Sequence, residues 1–72
     1  MFIRHEVVER IKREYPVGCR VELCRMDDPQ APPIGTKGTV IAVDDTGSLI
    51  MRWDDGSSLN VVCGQDYARR IL

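Results

Sequence analysis

Residues 36–57, TKGTVIAVDDTGSLIMRWDDGS, decide the fold of this chain. Thr36–Val43 is rich in β-branched residues and reads as a strand. Ser48–Trp53 reads as the next, with Leu49, Met51 and Trp53 on one face and Ile50 and Arg52 on the other. Between them, Asp44-Asp45-Thr46-Gly47 sets a glycine where a turn needs positive φ. After them, Asp54-Asp55-Gly56-Ser57 contains Asp-Gly, a strong hairpin signal. Gly38, inside the first of these strands, suggests a bulge or a sharp bend.

The same period of two extends outward in both directions. Ser58–Val62 continues as a strand with Leu59 and Val61 on one face. Gly64–Tyr67 reads as a helical turn, and Ala68–Leu72 as a short final strand. On the N-terminal side, Cys19, Val21 and Leu23 alternate with Arg20, Glu22 and Cys24, so Cys19–Arg25 is a half-buried first strand. Met26–Gly35 contains three prolines, which forbid a central strand and make a long, partly stiffened loop. A loop of that length in a small domain is functional or disordered.

Before Gly18 the period changes to that of a helix. Ile3, Val7 and Ile11 recur every four residues, with Val8 and Tyr15 beside them, and define a stripe on a helix over residues 2–15. Glu6 precedes Arg10, and Glu9 precedes Arg13, by the four residues that favour ion pairs on the exposed face. Pro16 ends the helix by pushing its predecessor out of the helical region. So short a helix is marginal alone in water and must dock its stripe on the barrel or on a partner.

These elements predict a mainly β domain: a five-stranded SH3-like barrel over residues 17–72, preceded by an amphipathic helix over residues 1–16. Closure removes the exposed edges that such short strands would otherwise leave. An OB-like barrel is the competitor, but it places its helix between the third and fourth strands.

Composition narrows the function classes. Apolar residues make up 43% of the 72, which argues for a packed globular chain rather than a disordered one. No apolar run approaches the roughly 20 residues a membrane helix needs, and the charged N-terminus does not read as a signal peptide. Cys19, Cys24 and Cys63 are odd in number and irregularly spaced, so reduced thiols in a cytoplasmic protein are expected. Residues 1–25 carry six cations against four glutamates, and residues 26–72 four cations against seven aspartates. Nothing here is the basic footprint of a protein held mainly by phosphate contacts.

Taken in order, Gly18–Val21, Met26-Asp27-Asp28-Pro29, Gly35-Thr36-Lys37-Gly38-Thr39-Val40, Val43-Asp44-Asp45 and Trp53-Asp54-Asp55-Gly56-Ser57-Ser58-Leu59 resemble a small bacterial and phage family, the domain of unknown function DUF4314. The resemblance covers residues 18–72, with the helix a looser prefix. It implies an SH3-type barrel and an origin in phages or mobile elements of Gram-positive bacteria, hence the cytoplasm of a bacterium or infected cell. It implies no catalytic or binding residue.

The residues themselves offer several constellations. Cys19 and Cys24 are an odd offset apart on one strand and point to opposite faces, and His5 is the only histidine, so no metal site is expected. No cofactor is expected, and no nucleophile has a readable base, so the chain is not expected to be an enzyme. Asp27, Asp28, Asp54 and Asp55 all fall in loops that share one end of such a barrel. They read first as turn formers, and second as a converging group for a cation or cationic partner. Trp53 reads as core or as an exposed platform beside the proline loop, with Tyr67 contributing to the same site. Arg20 and Arg52 point outward by alternation, and with Arg25, Lys37, Arg69 and Arg70 they form a ribbon if the strands bring them together. They read as a solvated face or as a patch for an anion.

The expected function is that of a small binding module acting on a protein partner. It would use Trp53, Tyr67, Arg20, Arg52, Asp27, Asp28, Pro32 and Pro33, or the helix stripe Ile3, Val7 and Ile11. Self-association through that stripe is a related expectation. The alternative is a nucleic-acid or nucleotide binder, including a phage counter-defence protein that sequesters a nucleotide signal or inhibits a host immune enzyme.

Overall fold

The computed structural model describes residues 4–71. Its elements are α1 (His5–Glu14), β1 (Arg20–Arg25), β2 (Lys37–Val43), β3 (Leu49–Trp53) and β4 (Tyr67–Arg70). The strands form one antiparallel sheet in the spatial order β3-β2-β1-β4.

Four strands stand where five were expected. Ser58–Val62 makes a backbone bridge to β3 only at Val61, whose N–H and C=O exchange hydrogen bonds with Leu49 at 3.0 and 2.9 Å. The remaining donors of β3 are met differently. Asn60 Oδ1 accepts the Met51 N–H at 3.2 Å, and Ser57 O accepts the Trp53 N–H at 3.3 Å. The Leu59 carbonyl accepts the Trp53 indole N–H at 2.6 Å, a side-chain donor in place of a strand N–H. Residues 57–61 therefore cover the edge of β3 as an irregular arch. The sheet is open, since β3 and β4 are its two edges and are not paired with each other. The expected helical turn at Gly64–Tyr67 lies slightly earlier, closed by the Gln65 and Asp66 N–H groups on the Val62 carbonyl. The final strand likewise begins at Tyr67.

The β2–β3 turn is organised by one side chain. Asp44 Oδ1 accepts the N–H groups of Thr46 and Ser48 at 2.9 and 3.0 Å, and the Thr46 hydroxyl at 2.7 Å. These bonds, the Thr46 hydroxyl first, hold the Asp44 carboxyl below the usual carboxylate range. Gly38 is not the bulge expected from its type. The register shifts fall between Val40 and Ala42, and between Leu23 and Arg25.

Alternation puts Val21 and Leu23 of β1, Val40 of β2, Leu49, Met51 and Trp53 of β3, and Ala68 of β4 on the inner face, where all are buried. Cys19 and Val61 complete this core. Burial also pushes the Cys19 thiol up, which keeps it in the protonated, unreactive form.

The helix lies on that core. Val8 is buried, and Ile11 and Tyr15 pack against the cluster. The Tyr15 hydroxyl donates to the Ala68 carbonyl at 3.1 Å. Arg70 donates to the Glu14 carbonyl at 3.3 Å, satisfying one of the groups a helix leaves open at its C-terminal end. The surface ion pairs of the helix differ in register from those expected. They join Glu9 to Lys12 and Arg10 to Glu14, with His5 Nε2 3.5 Å from Glu9, and all are exposed. No helix among the described residues is long and apolar enough to cross a membrane.

Candidate functional site: an apolar cleft beside an acidic pocket

The residues singled out from sequence are scattered over the fold. Trp53 is in the core at 2% exposure, so the platform reading of this residue is corrected. Its position on β3 places it on the inner face with Leu49 and Met51, and the arch at 57–61 closes over it.

Arg20 and Arg52 lie on the outer face, in one row with Thr39 between them. Arg20 does not stand free. Its guanidinium donates to Thr39 Oγ1 at 3.0 Å, to Asp54 Oδ1 at 2.8 Å and, through its second amino group, to Asp54 Oδ2. This two-pronged pair ties β1 to the turn after β3 and raises the arginine's pKa further. The same bonds hold the Asp54 carboxyl below its ordinary range, so the unfolded chain binds its proton more readily than the folded one. The stability this adds is complete above the ordinary aspartate range, about 3.9, and is lost as pH falls through the depressed value. Urea unfolding of the wild type and Asp54→Asn across pH is expected to show a lower midpoint for the variant near neutrality. That gap should close below about pH 4. Arg69 is likewise paired, with Glu22 at 3.3 Å.

The aspartate pairs do not converge. Asp54 faces Arg20, Asp28 accepts the Gln30 N–H at 2.8 Å, and Asp55 accepts the Ser57 N–H at 2.9 Å. Among the described residues, no three His, Cys, Asp or Glu side chains are grouped to hold a metal ion. The proline loop is mostly exposed. Pro32 is buried and Pro33 exposed, and the Pro33 carbonyl accepts the Thr36 N–H and hydroxyl at 3.0 and 2.6 Å. Gly35, at φ 94°, lets the chain turn back so that its N–H reaches the Leu23 carbonyl at 2.8 Å.

The helix stripe is used within the chain. Ile11 packs on the core and Val7 is half-buried, while Ile3 lies outside the described residues. A stripe docked on its own sheet is not a free face for a second copy.

What remains open is a cleft of about 180 Å³ beside the C-terminal half of α1. Ile11 and Tyr15 form one wall. Leu49, Val61 and Ala68 line it from the core, with Cys63, Gly64, Asp66 and Tyr67 among the residues around it. Ala68 leaves room there because it is small, and Tyr67 stands at the cleft with 55% of its surface exposed. Burial, then the neighbouring Tyr67, raises the Tyr15 pKa, so its hydroxyl stays a donor to Ala68 well into the alkaline range.

Next to the cleft lies a second pocket of about 300 Å³, lined by Met26, Asp27, Asp28, Leu59, Asn60, Val62, Gln65 and Asp66. Asp66 lines both hollows. It accepts the Val62 N–H at 2.9 Å and so fixes the turn that divides them. Of the residues named from sequence, Tyr67 and Ile11 meet in the cleft, and Asp27 and Asp28 in the pocket. Cys63, Asp66 and Ala68 carried no local signal, because a cleft between a helix and a distant turn has no period of its own.

A small, mainly β domain with a helix laid across an open antiparallel sheet, and an apolar cleft at its C-terminal end, is the class these features define. The chain belongs to the family described as Domain of unknown function (DUF4314), which it matches over residues 4–71. No curated protein and no solved structure matches it.

Proposed function

We propose that this protein is a non-enzymatic binding module that grips a partner protein through the cleft beside α1. The observation that carries this is an apolar hollow with a largely exposed tyrosine at it. A cavity of about 150 Å³ lined by apolar side chains accepts a benzene ring. The cleft is of that size and suits one large apolar side chain of a partner. Aromatic residues beside such a hollow are the usual anchors of protein interfaces. The titratable groups lining it are two tyrosines, Cys63 and Asp66, with no histidine and no cation, which favours binding over acid–base chemistry.

The strand order, with Val61 bridged to the β3 edge, supports reading the sheet as an SH3-like barrel whose fourth strand is reduced to one bridge. An accessory role in a phage or mobile element, acting in the cytoplasm, is what the resemblance of the sequence motifs implies. The nucleic-acid reading is weaker, because Arg20 and Arg69 on the outer face are held by Asp54 and Glu22.

A photo-cross-linking phenylalanine derivative in place of Tyr67 tests the proposal in the producing cell. A discrete adduct with a second protein is expected there, and none from the same probe in place of Arg13 on the exposed side of α1. Equal labelling from both positions, or none from position 67, overturns it.

A further inference from the structure

The geometry points to the chemistry of that partner: a short segment carrying a large apolar side chain close to a lysine or arginine. This rests on the protein-binding reading and adds to it. The apolar cleft and the second pocket adjoin at Asp66, and neither is lined by a lysine or arginine. Asp27, Asp28 and Asp66 line the pocket, and among the described residues none of the three is in an ion pair. On the outer face, by contrast, Glu22 and Asp54 are both neutralised by arginines.

The pocket therefore holds negative charge that the protein does not itself balance, directly beside a hollow that takes an apolar group. The carboxylates are not grouped to hold a metal ion. They are spread along a hollow that Asn60 and Gln65 also line. Such a lining suits an extended cation with several N–H donors, as on an arginine or lysine side chain. An apolar anchor flanked by a complementary charge gives a partner both affinity and register.

The test is selection of heptapeptides from a random displayed library on the full chain, in parallel with the Asp27→Asn/Asp28→Asn/Asp66→Asn variant. Asparagine keeps the acceptor that Asp28 offers Gln30 and that Asp66 offers Val62, and an unchanged melting curve verifies the fold. Enriched peptides are expected to carry an aromatic or large aliphatic residue within a few positions of Lys or Arg. Their affinity should fall roughly tenfold in the triple variant, from the loss of several charge contacts. Raising salt from about 50 to about 500 mM should weaken the wild type and leave the variant nearly unchanged. Apolar peptides enriched without basic residues, and binding both proteins equally, overturn the inference while sparing the cleft. Absence of any enriched peptide overturns both.

Discussion

Trp53→Ala is expected to unfold a large share of the protein. Large-to-small changes of a buried tryptophan cost about 3–5 kcal/mol. A chain of 72 residues has a total stability of only about 4–11 kcal/mol at roughly 0.05–0.15 kcal/mol per residue. Trp53 is among the largest fully buried side chains, and its loss also frees the Leu59 carbonyl from its only indole donor. The arch at 57–61 then loses the bond that draws it over β3. Trp53→Phe separates the two effects, since it keeps a ring and removes the N–H. It is expected to cost about 1–3 kcal/mol, the range for a polar group left unpaired on burial. Urea denaturation followed by far-ultraviolet circular dichroism measures both. An alanine variant as stable as the wild type would mean the ring is not core.

Gly38→Ala is the second large effect, and it arises from the same ring. A methyl group at position 38 would lie 2.7 Å from Trp53 Cε3 and 2.9 Å from the Arg52 carbonyl oxygen. Real carbon contacts do not come that close, and one of the two atoms is backbone. Ring or strand must shift, at a cost of about 1–3 kcal/mol or more. The two changes are expected to couple. In a Trp53→Leu background, Gly38→Ala should cost less than it does alone, by about 0.5–3 kcal/mol, because the ring that blocks the methyl is gone. The clash with the Arg52 carbonyl remains, so the rescue is partial. Strict additivity in thermal melts of the four proteins would show that Gly38 is not packed against Trp53.

These two residues also lie in the stretches of sequence that carry the resemblance. Within Gly-Thr-Lys-Gly-Thr-Val, Gly35 supplies a left-handed turn and Gly38 a seat for the indole. Within Trp-Asp-Asp-Gly-Ser-Ser-Leu, Trp53 and Leu59 are joined by the indole bond, Asp54 grips Arg20, and Asp55 shapes the turn. The motifs serve architecture. The cleft is built mostly from residues outside them, Ile11, Tyr15, Val61, Tyr67 and Ala68. Those motifs therefore bear on the fold far more than on the lining of the cleft.

The strand patterns at 19–25, 36–43 and 48–53, the helix ended at Pro16 and both aspartate turns were legible from the sequence. Each is a local property, written in a period of two or four or in turn chemistry within a few residues. The alternation of Leu49, Met51 and Trp53 placed all three on one face of β3, and the structure buries that face. What the tertiary structure alone decided concerns groups far apart in the chain. The Trp53 indole, not a strand N–H, meets the Leu59 carbonyl, and Ser58–Val62 bridges β3 by backbone only at Val61. Arg20 finds Asp54, 34 residues away, and ceases to be a free cation. Tyr15 reaches Ala68 across 53 residues and sets the helix beside the turn that forms the cleft. Hydrophobic periodicity reports which way a side chain faces. It does not report which distant donor, charge or ring it meets there, and those meetings placed the cleft and the acidic pocket.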